Sequence, residues 1–284
     1  MIKSYKLRRN LANALIYVIL AVLGLIWISP LLWMVLHSFR AEGGSAVQYL
    51  IPETYSFKNY ISLFTDTSQL DYPRWFLNTL VVAIFACIIS TLSVLMVSYS
   101  FSRLRFKARR PLINVGMILG MFPGFMTMIA IYYLLKAMNL TQTLPALVIC
   151  YSAGAGLGYQ ISKGFFDTIP RAMDEAATID GATKNQIFWK IILPMSKPIV
   201  VYTVLTSFIG PWTDFILVRI IMGDNRANYT VSVGLQTMIA QQYIGKYFTR
   251  FLAGSTLVAI PITVLFLKMQ SYYVEGVTAG GVKG

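Results

Sequence analysis

Long apolar runs alternate with short polar segments along most of the chain. The first run, Leu11–Leu36, has enough residues to cross a bilayer as a helix that rises about 1.5 Å per residue. Five further runs of similar character follow it, and the connections between them are short enough for a single transmembrane domain covering residues 1–284. The pattern predicts six transmembrane helices at about residues 11–36, 75–102, 111–135, 137–162, 198–218 and 251–270.

Composition supports an all-α integral membrane protein. Hydrophobic residues make up 56% of the chain and charged residues only 12%, which is unlike a soluble domain. The net charge of +13 raises nucleic-acid binding as a possibility. However, the basic residues do not cluster with stacking aromatic residues on a soluble module, as such binding would require. Membrane topology explains the excess of positive charge better.

The positions of lysine and arginine predict the orientation of the chain. Five basic residues lie in the eight-residue segment Arg103–Arg110, directly before the third apolar run. If this segment and both termini face the cytoplasm, 16 of the 24 lysine and arginine residues lie inside and 8 lie outside. Short cytoplasmic loops are enriched in these residues, so we expect both termini to be cytoplasmic.

The most polar interior segment is Glu175–Pro194, with the sequence EAATIDGATKNQIFWKIILP. Asp180 and Gly181 predict the end of one short helix, because glycine readily adopts the positive φ of a helix C-terminus. Thr183 and Gln186 have the spacing of a capping box and predict the start of a second helix. The second helix then carries an apolar stripe formed by Ile187, Phe188, Ile191 and Ile192.

This segment resembles the EAA loop of the membrane-spanning subunits of ABC importers. E-A-A, the glycine that follows after three intervening residues and the final I-x-L-P all occupy the expected positions. The resemblance implies a cytoplasmic coupling helix between spans four and five, docked in a cleft of a partner ATPase. An amphipathic loop lying on the membrane surface is the alternative. The predicted ATPase-coupling residues are Met173, Glu175, Ala176, Ala177, Asp180 and Gly181.

The chain itself lacks the residues of a motor or an enzyme. It has no G-x-x-x-x-G-K-[ST] phosphate loop, so ATP and Mg²⁺ are expected on partner subunits, with no cofactor on this chain. Cys87 and Cys150 each lie in an apolar run, and His37 is the only histidine. No metal site or catalytic constellation is therefore predicted, and we expect a permease subunit without enzymatic activity.

Two residues of the GPWTDF segment are candidates for the substrate pathway. Asp214 is a carboxylate inside a predicted span, where an ionisable group is costly unless it faces a cavity or a partner. A structural ion pair with Arg219 is the alternative. Trp212 has an aromatic face that can stack on a sugar ring, or it anchors the helix at the membrane interface.

The outer segment Asn228–Gln236, NYTVSVGLQ, looks like the maltose-type branch of the same family, in which the corresponding loop reaches into a solute-binding protein. We expect it to be irregular, dipping toward a central cavity or meeting an external partner, with a plain solvated loop as the alternative. The resemblance implies that Tyr229, Gly234 and Gln236 dock the binding protein.

The C-terminal tail resembles the end of maltose-type permeases, which contacts the ATPases. It differs in having Val277 where leucine is usual. The residues implied in that contact are Gly280, Gly281 and Lys283.

These features together predict one membrane subunit of an ABC importer for oligosaccharides, of maltose or maltodextrin type. The implied partners are a second homologous permease, two copies of a cytosolic ATPase and an extracytoplasmic solute-binding protein. The implied location is the bacterial cytoplasmic membrane, and the mechanism is alternating access. A galactoside, a raffinose-type sugar, a cyclodextrin or an acidic oligosaccharide remains open as the cargo, and a secondary sugar transporter is the competing class.

Overall fold

The computed structural model describes residues 2–45, 47, 49–154 and 158–281, with side chains described between residues 7 and 272. Regular structure in these ranges is helical, apart from an isolated bridge between Arg40 and Tyr55. The all-α class predicted from the sequence is therefore confirmed. Contacts divide the chain into two compact units, Met1–Leu70 with Thr237–Leu257 and Asp71–Gln236 with Val258–Gly284.

Fourteen α-helices are described, together with a π-helical turn at Phe188–Ile192 and a 3₁₀ turn at Arg226–Asn228. The helices are α1 Ile2–Ser38, α2 Lys58–Thr65, α3 Tyr72–Arg103, α4 Arg109–Gly120, α5 Gly124–Ala137, α6 Leu144–Gly154, α7 Tyr159–Thr168, α8 Ala172–Ile179, α9 Lys184–Ile187, α10 Leu193–Met195, α11 Lys197–Thr213, α12 Ile216–Met222, α13 Val231–Met238 and α14 Ile244–Gly281.

Three of these helices are each long and apolar enough to cross a membrane. They contain the segments Leu7–Ser38, Tyr72–Arg103 and Ile244–Tyr272. The other candidates are bent pairs: α4 with α5 at 104°, α6 with α7 at 41°, and Lys184–Met195 with α11 at 85°. The described helices thus supply three continuous spans, or six if each bent pair forms one. The fifth predicted span, 198–218, is divided because α11 ends at Thr213 and α12 begins at Ile216.

Helix α3 supplies the central buried face of the second unit. It packs against α6, α7 and α11. Small buried residues recur on this face every three or four positions, which lets neighbouring helices approach closely. The buried face includes Thr79, Ala83, Ala86, Ser90, Val94, Ser98 and Ser102.

Two serines in the C-terminal half of α3 hold this helix against α7. Ser98 donates a hydrogen bond to the carbonyl of Tyr159 at 3.0 Å, and Ser102 donates to Oδ1 of Asp167 at 2.6 Å. Both serines are buried, and the Ser98 hydroxyl also lies 2.6 Å from the carbonyl of Val94 in its own helix. The contacts hold the end of α3 beside the end of α7, just before α8 begins.

The N-terminal end of α3 packs against α13. Gly234 lies so close to the ring of Trp75 that an added Cβ would be 2.0 Å from Cε3 of that ring. The backbone N–H of Val231 donates to Oγ1 of Thr79 at 2.8 Å, and the indole N–H of Trp75 donates to the carbonyl of Arg226 at 2.9 Å. The expectation of an irregular or solvated segment is therefore wrong for most of 228–236, because its apolar side chains form a buried helix.

In the first unit, a short polar network joins α1, α2 and α14. The side-chain amide of Asn59 donates to the carbonyls of Ser38 at 2.9 Å and Arg40 at 2.8 Å. Asp66, just after α2, pairs with Arg250 of α14 at 2.8 Å. These bonds fix the segment between α1 and α2 against the start of α14.

Candidate functional site

Helix α8 ends in the turn that the sequence predicts. Gly181 has a φ of 81°, in the left-handed region that glycine adopts without strain. The N–H of Ala182 donates to the carbonyl of Ala177 at 2.9 Å, and the N–H of Gly181 donates to that of Thr178 at 3.1 Å. This pair of bonds is a Schellman motif, and it redirects the chain sharply after α8.

The second helix of the segment starts with the predicted capping box. The N–H of Gln186 donates to Oγ1 of Thr183 at 3.3 Å, and the N–H of Thr183 donates to Oε1 of Gln186 at 2.8 Å. The predicted apolar stripe also packs inward: Ile187, Phe188 and Ile192 are buried in one hydrophobic cluster. The prediction of two helices joined at Gly181 is confirmed.

The two faces of α8 differ in exposure. Ala177 is buried with the cluster formed by the second helix, so this chain itself covers one of the small residues expected to contact a partner. The rest of α8 and its C-cap are open: Met173, Glu175, Ala176 and Asp180 are exposed. Ile179 is 86% exposed and was not predicted. The sequence could have identified Ile179, because it is an apolar residue two positions after Ala177 and therefore lies on the opposite face of the helix.

Arg103, the last residue of α3, holds α8 in place. Its guanidinium pairs with Asp174 of α8 at 2.7 Å and donates to the carbonyls of Phe166 at 2.6 Å and Ile169 at 2.8 Å. The Arg103 side chain is only 5% exposed. The sequence placed Arg103 in a cytoplasmic basic cluster and did not distinguish it from its four basic neighbours.

A charged cleft of ≈ 490 Å³ lies between the end of α3 and the helices α8 and α9. Tyr99 forms part of its wall and donates its hydroxyl to the carbonyl of Lys184 at 3.2 Å. The cleft and the exposed face of α8 together offer a surface with both charges and apolar atoms, as protein interfaces require. The charged residues that line the cleft are Arg103, Arg105, Arg171, Asp174, Glu175 and Lys184.

Asp214 has a different environment from the one expected for an ion pair. Its Oδ1 accepts the N–H of Leu217 at 3.1 Å, in the first turn of α12, and its Oδ2 accepts the hydroxyl of Tyr151 at 3.2 Å. Arg219 instead pairs with Asp224 at 3.2 Å. The alternative of an Asp214–Arg219 ion pair is therefore wrong, because α12 turns Arg219 toward the following loop.

Trp212 and Tyr229 are both buried at 2% exposure. The ring of Trp212 packs edge-on against Phe76 at 5.1 Å, so in this conformation it offers no free face to a sugar. The hydroxyl of Tyr229 donates to the carbonyl of Gly223 at 2.9 Å. Of the three residues implied in docking a binding protein, Gln236 alone is exposed, since Gly234 packs against Trp75.

The C-terminal contact residues are only partly covered by the structure. The backbone of Gly280 and Gly281 lies in the last turn of α14. Lys283 lies outside the described residues. Their contact with an ATPase stays a prediction.

A cavity of ≈ 320 Å³ lies between α3, α6, α7 and α11 in the second unit. Hydroxyl groups from Ser90, Ser162, Thr203, Thr206 and Ser207 line it. Ser90 lies near the middle of α3, so the cavity is far from both ends of that helix. The sequence did not reveal it, because serine and threonine in an apolar run also hydrogen-bond within their own helix.

Comparison with known proteins shows which family and which relatives this chain resembles. Residues 91–274 match the family model described as binding-protein-dependent transport system inner membrane component. The chain is 34% identical over 285 residues to the galactooligosaccharides transport system permease protein GanQ of Bacillus subtilis (strain 168), covering 100% of both chains. It is also 34% identical over 284 residues to the maltodextrin transport system permease protein MalD of Streptococcus pneumoniae (strain ATCC BAA-255 / R6), covering 99% of each.

A solved structure shows the same fold. A chain of a bacterial ABC transporter involved in the import of the acidic polysaccharide alginate superposes with a TM-score of 0.75 at 18% identity. The match covers 93% of this chain and 97% of that one. The family match and the full-length relatives agree with the EAA-type segment between α7 and α11. The chain belongs to the family of inner membrane components of binding-protein-dependent transport systems.

Proposed function

We propose that this chain is a membrane-spanning subunit of an ATP-driven importer that carries neutral oligosaccharides of maltodextrin or galactooligosaccharide type. The observation that carries the substrate class is the full-length similarity to permeases named for these two sugars. The coupling segment supports the ATP-driven mechanism, because α8 is exposed on one face and fixed on the other. Other oligosaccharides, including raffinose-type sugars and cyclodextrins, are the alternative cargo.

In this proposal each bent helix pair forms one span, so six spans cross the bacterial cytoplasmic membrane and both termini are cytoplasmic. The distribution of lysine and arginine supports this orientation. The long first helix supports membrane crossing: the apolar window of Leu7–Ser38 has 0% of its residues buried in the described chain. Lipid or a second permease would then cover that surface.

The proposed partners are a second homologous permease, two cytosolic ATPase subunits and an extracytoplasmic solute-binding protein. ATP and Mg²⁺ bind to the ATPases, and this chain carries out no covalent chemistry. Closure of the ATPases moves the docked α8 helices, and the spans rock so that a central cavity opens outward and then inward. A mechanical role of this kind requires that α8 be joined firmly to the spans.

The contacts of Arg103 and the cluster around Ile187 and Phe188 provide such a connection. Arg103 ties α8 to the ends of α3 and α7, and the cluster ties the second helix of the segment to α3 through Tyr99. Protein interiors are close-packed and transmit displacement with little compression. The exposed Met173, Ala176 and Ile179 are then the proposed contact with the ATPase.

Reconstitution of the complete transporter tests this function. The chain is co-expressed with its permease, ATPase and binding-protein partners and placed in proteoliposomes that contain ATP. We expect uptake of radiolabelled maltotriose or a galactotriose that depends on the binding protein, together with sugar-stimulated ATP hydrolysis. A preparation that takes up neither sugar would contradict the proposed cargo.

The same preparation tests the coupling role of Gly181. Valine at this position is strained because Gly181 has a φ of 81°, whereas asparagine tolerates that conformation. We expect Gly181→Val to uncouple ATP hydrolysis from uptake and Gly181→Asn to retain most of the coupling. Unchanged coupling in Gly181→Val would show that the turn has no role in transmission.

A further inference from the structure

One face of α11 is polar along its outer half. Thr203, Ser207, Gly210 and Asp214 follow one another at intervals of three or four residues, so they share one side of the helix up to its C-cap. An ionisable residue within a membrane span almost always faces the protein interior or a water-filled cavity, and Asp214 lies at the end of this face. This polar face runs from the C-terminal end of α11 to the cavity of ≈ 320 Å³, which Thr203, Ser207 and Gly210 line.

The lining of this cavity carries no formal charge among its described residues. Apart from the five serines and threonines, its polar groups are the hydroxyls of Tyr151 and Tyr202. Val94, Ile161 and the two glycines supply apolar surface between them. Its volume lies at the lower end of the range for small-molecule sites.

The hydroxyl hydrogens in this cavity are largely engaged within the protein. Thr206 donates to the carbonyl of Tyr202 at 2.9 Å, and Thr203 donates to the carbonyl of Ile199 at 2.8 Å. Tyr151 donates to Asp214 at 3.2 Å. Each of these oxygens keeps lone pairs that can still accept a hydrogen bond.

The remaining serines also share their hydrogens. The hydroxyl oxygens of Ser90 and Ser207 are 2.9 Å apart, and those of Ser162 and Thr203 are 3.4 Å apart. Only one of the two hydrogens is used between Ser90 and Ser207. The hydroxyl of Tyr202 has no hydrogen bond among the described residues, so two hydrogens can still be donated into the cavity, this one and the second hydrogen of the Ser90–Ser207 pair. All seven hydroxyl oxygens can accept, so the cavity presents more acceptors than donors, and the carboxylate of Asp214 accepts the hydrogen of Tyr151.

Such a surface favours one class of sugar over another. The hydroxyl groups of a neutral sugar donate hydrogen bonds, and acceptors are what the cavity offers. An ionised carboxylate only accepts hydrogen bonds, so it would find few donors there. The nearby carboxylate of Asp214 would also repel it in a medium of low dielectric constant.

We infer that this cavity is a contact surface for uncharged, hydroxyl-rich sugars on the transport path, and that it discriminates against sugars bearing carboxylates. The inference rests on the proposed function as a sugar importer. It assigns to this subunit a direct part in solute recognition, with Thr206 as an acceptor at the open side of the cavity.

Two threonines of α11 provide a matched test. Thr206 and Thr213 are both exposed and both donate to carbonyls of the preceding turn, but Thr206 lines the cavity and Thr213 is not among its lining residues. We expect Thr206→Val to raise the KM for maltotriose uptake by about three- to tenfold, the effect of one lost hydrogen bond. Thr213→Val is expected to match the wild type.

Cysteine labelling tests the discrimination in the absence of the binding protein. In the assembled transporter, modification of Thr206→Cys by a neutral maleimide is measured by mass spectrometry, with Thr213→Cys as the control. We expect a high concentration of maltotriose to slow labelling at position 206 several-fold, and an alginate trisaccharide to have no effect. Neither sugar should alter labelling at position 213.

The outcomes separate this inference from the proposed function. If the wild-type transporter takes up neither neutral sugar, the proposed function fails. If uptake is normal but Thr206→Val and Thr213→Val have the same KM, the cavity is not a contact surface and the inference is overturned. Equal protection by maltotriose and the alginate trisaccharide would overturn the discrimination.

Discussion

At the scale of single residues, Arg103 shows how far burial changes the role of a charge. Its guanidinium serves three acceptors on two other segments, and its side chain is only 5% exposed. Arg105, two positions later, is exposed. The two residues have the same charge and the same effect on topology, so the sequence alone cannot separate them. The difference arises from the end of α3, which turns Arg103 toward α7 and α8.

We predict that Arg103→Gln lowers the free energy of unfolding by about 3 kcal/mol, because it leaves Asp174 without its buried partner. Arg105→Gln should change stability by less than about 0.5 kcal/mol, as exposed substitutions do. Thermal unfolding of the purified transporter, followed by tryptophan fluorescence, measures both. The double variant Arg103→Gln, Asp174→Asn should recover part of the loss, and no recovery would contradict the pairing.

The carboxyl of Asp66 makes the stability of the first unit depend on pH. The hydrogen bond and charge of Arg250 hold the pKa of the Asp66 carboxyl below its usual range. A carboxyl whose pKa is lowered by folding stabilises the protein above its unfolded pKa of about 3.9. This contribution is lost as the pH falls from there through the folded pKa.

We therefore predict that acidification below about pH 4 destabilises the wild type more steeply than Asp66→Asn, which lacks the titrating group. Unfolding of both proteins is followed from pH 6 to pH 3. At pH 6 the variant should be the less stable of the two, because the ion pair is intact in the wild type. Parallel pH profiles would show that the pair with Arg250 does not stabilise the folded state.

At the scale of elements, local signals were predictable and tertiary ones were not. The turn at Gly181 and the capping box at Thr183 follow from short-range chemistry, and the structure contains both. The 104° bend between α4 and α5 was missed because hydropathy continues unchanged across Pro123 and Gly124. Helix α13 was missed because the alternation of Tyr229, Val231, Val233 and Leu235 does not have a helical period. Packing against Trp75 decides its conformation.

The contact between α13 and α3 makes a sharp prediction for Gly234. An added Cβ would lie 2.0 Å from the Trp75 ring, so Gly234→Ala must displace one of the two helices. We expect a loss of about 1–3 kcal/mol, typical of overpacking, with a lower unfolding temperature. Gly164→Ala in α7 is the control, because an added Cβ there meets no atom within 4 Å. Alanine should be neutral or stabilising at that position, since it favours a helix.

This variant also separates packing from docking at Gly234. A residue that only packs inside the chain should lose stability without a specific loss of affinity for the binding protein. Gln236→Ala removes an exposed side chain two positions later and should have the opposite effect. A selective loss of binding-protein affinity in Gly234→Ala, at unchanged unfolding temperature, would assign Gly234 to the docking surface after all.

At the scale of the whole molecule, the hydrogen-bond partners of the ionisable residues bear on whether ATP or an ion gradient drives transport. A proton-coupled transporter needs ionisable groups in its spans that exchange partners during the cycle. Asp214, the carboxylate beside the cavity, is committed to the first turn of α12 and to Tyr151. The exposed face of α8 instead offers a place where force from another subunit can enter.

The energy source gives a final prediction on intact transporters in proteoliposomes. We expect maltotriose uptake to require internal ATP and to continue when ionophores collapse the proton and sodium gradients. Asp214→Asn should retain uptake within about fivefold of wild type, because the asparagine oxygen still accepts the N–H of Leu217 and its NH2 group can donate to the Tyr151 hydroxyl, which reverses that bond. Uptake driven by an ion gradient without ATP, and abolished by Asp214→Asn, would instead identify a secondary transporter. One experiment distinguishes the two classes of transporter, because the Asp214 carboxylate would be an ion-coupling group in a secondary transporter and only a helix cap in an ATP-driven one.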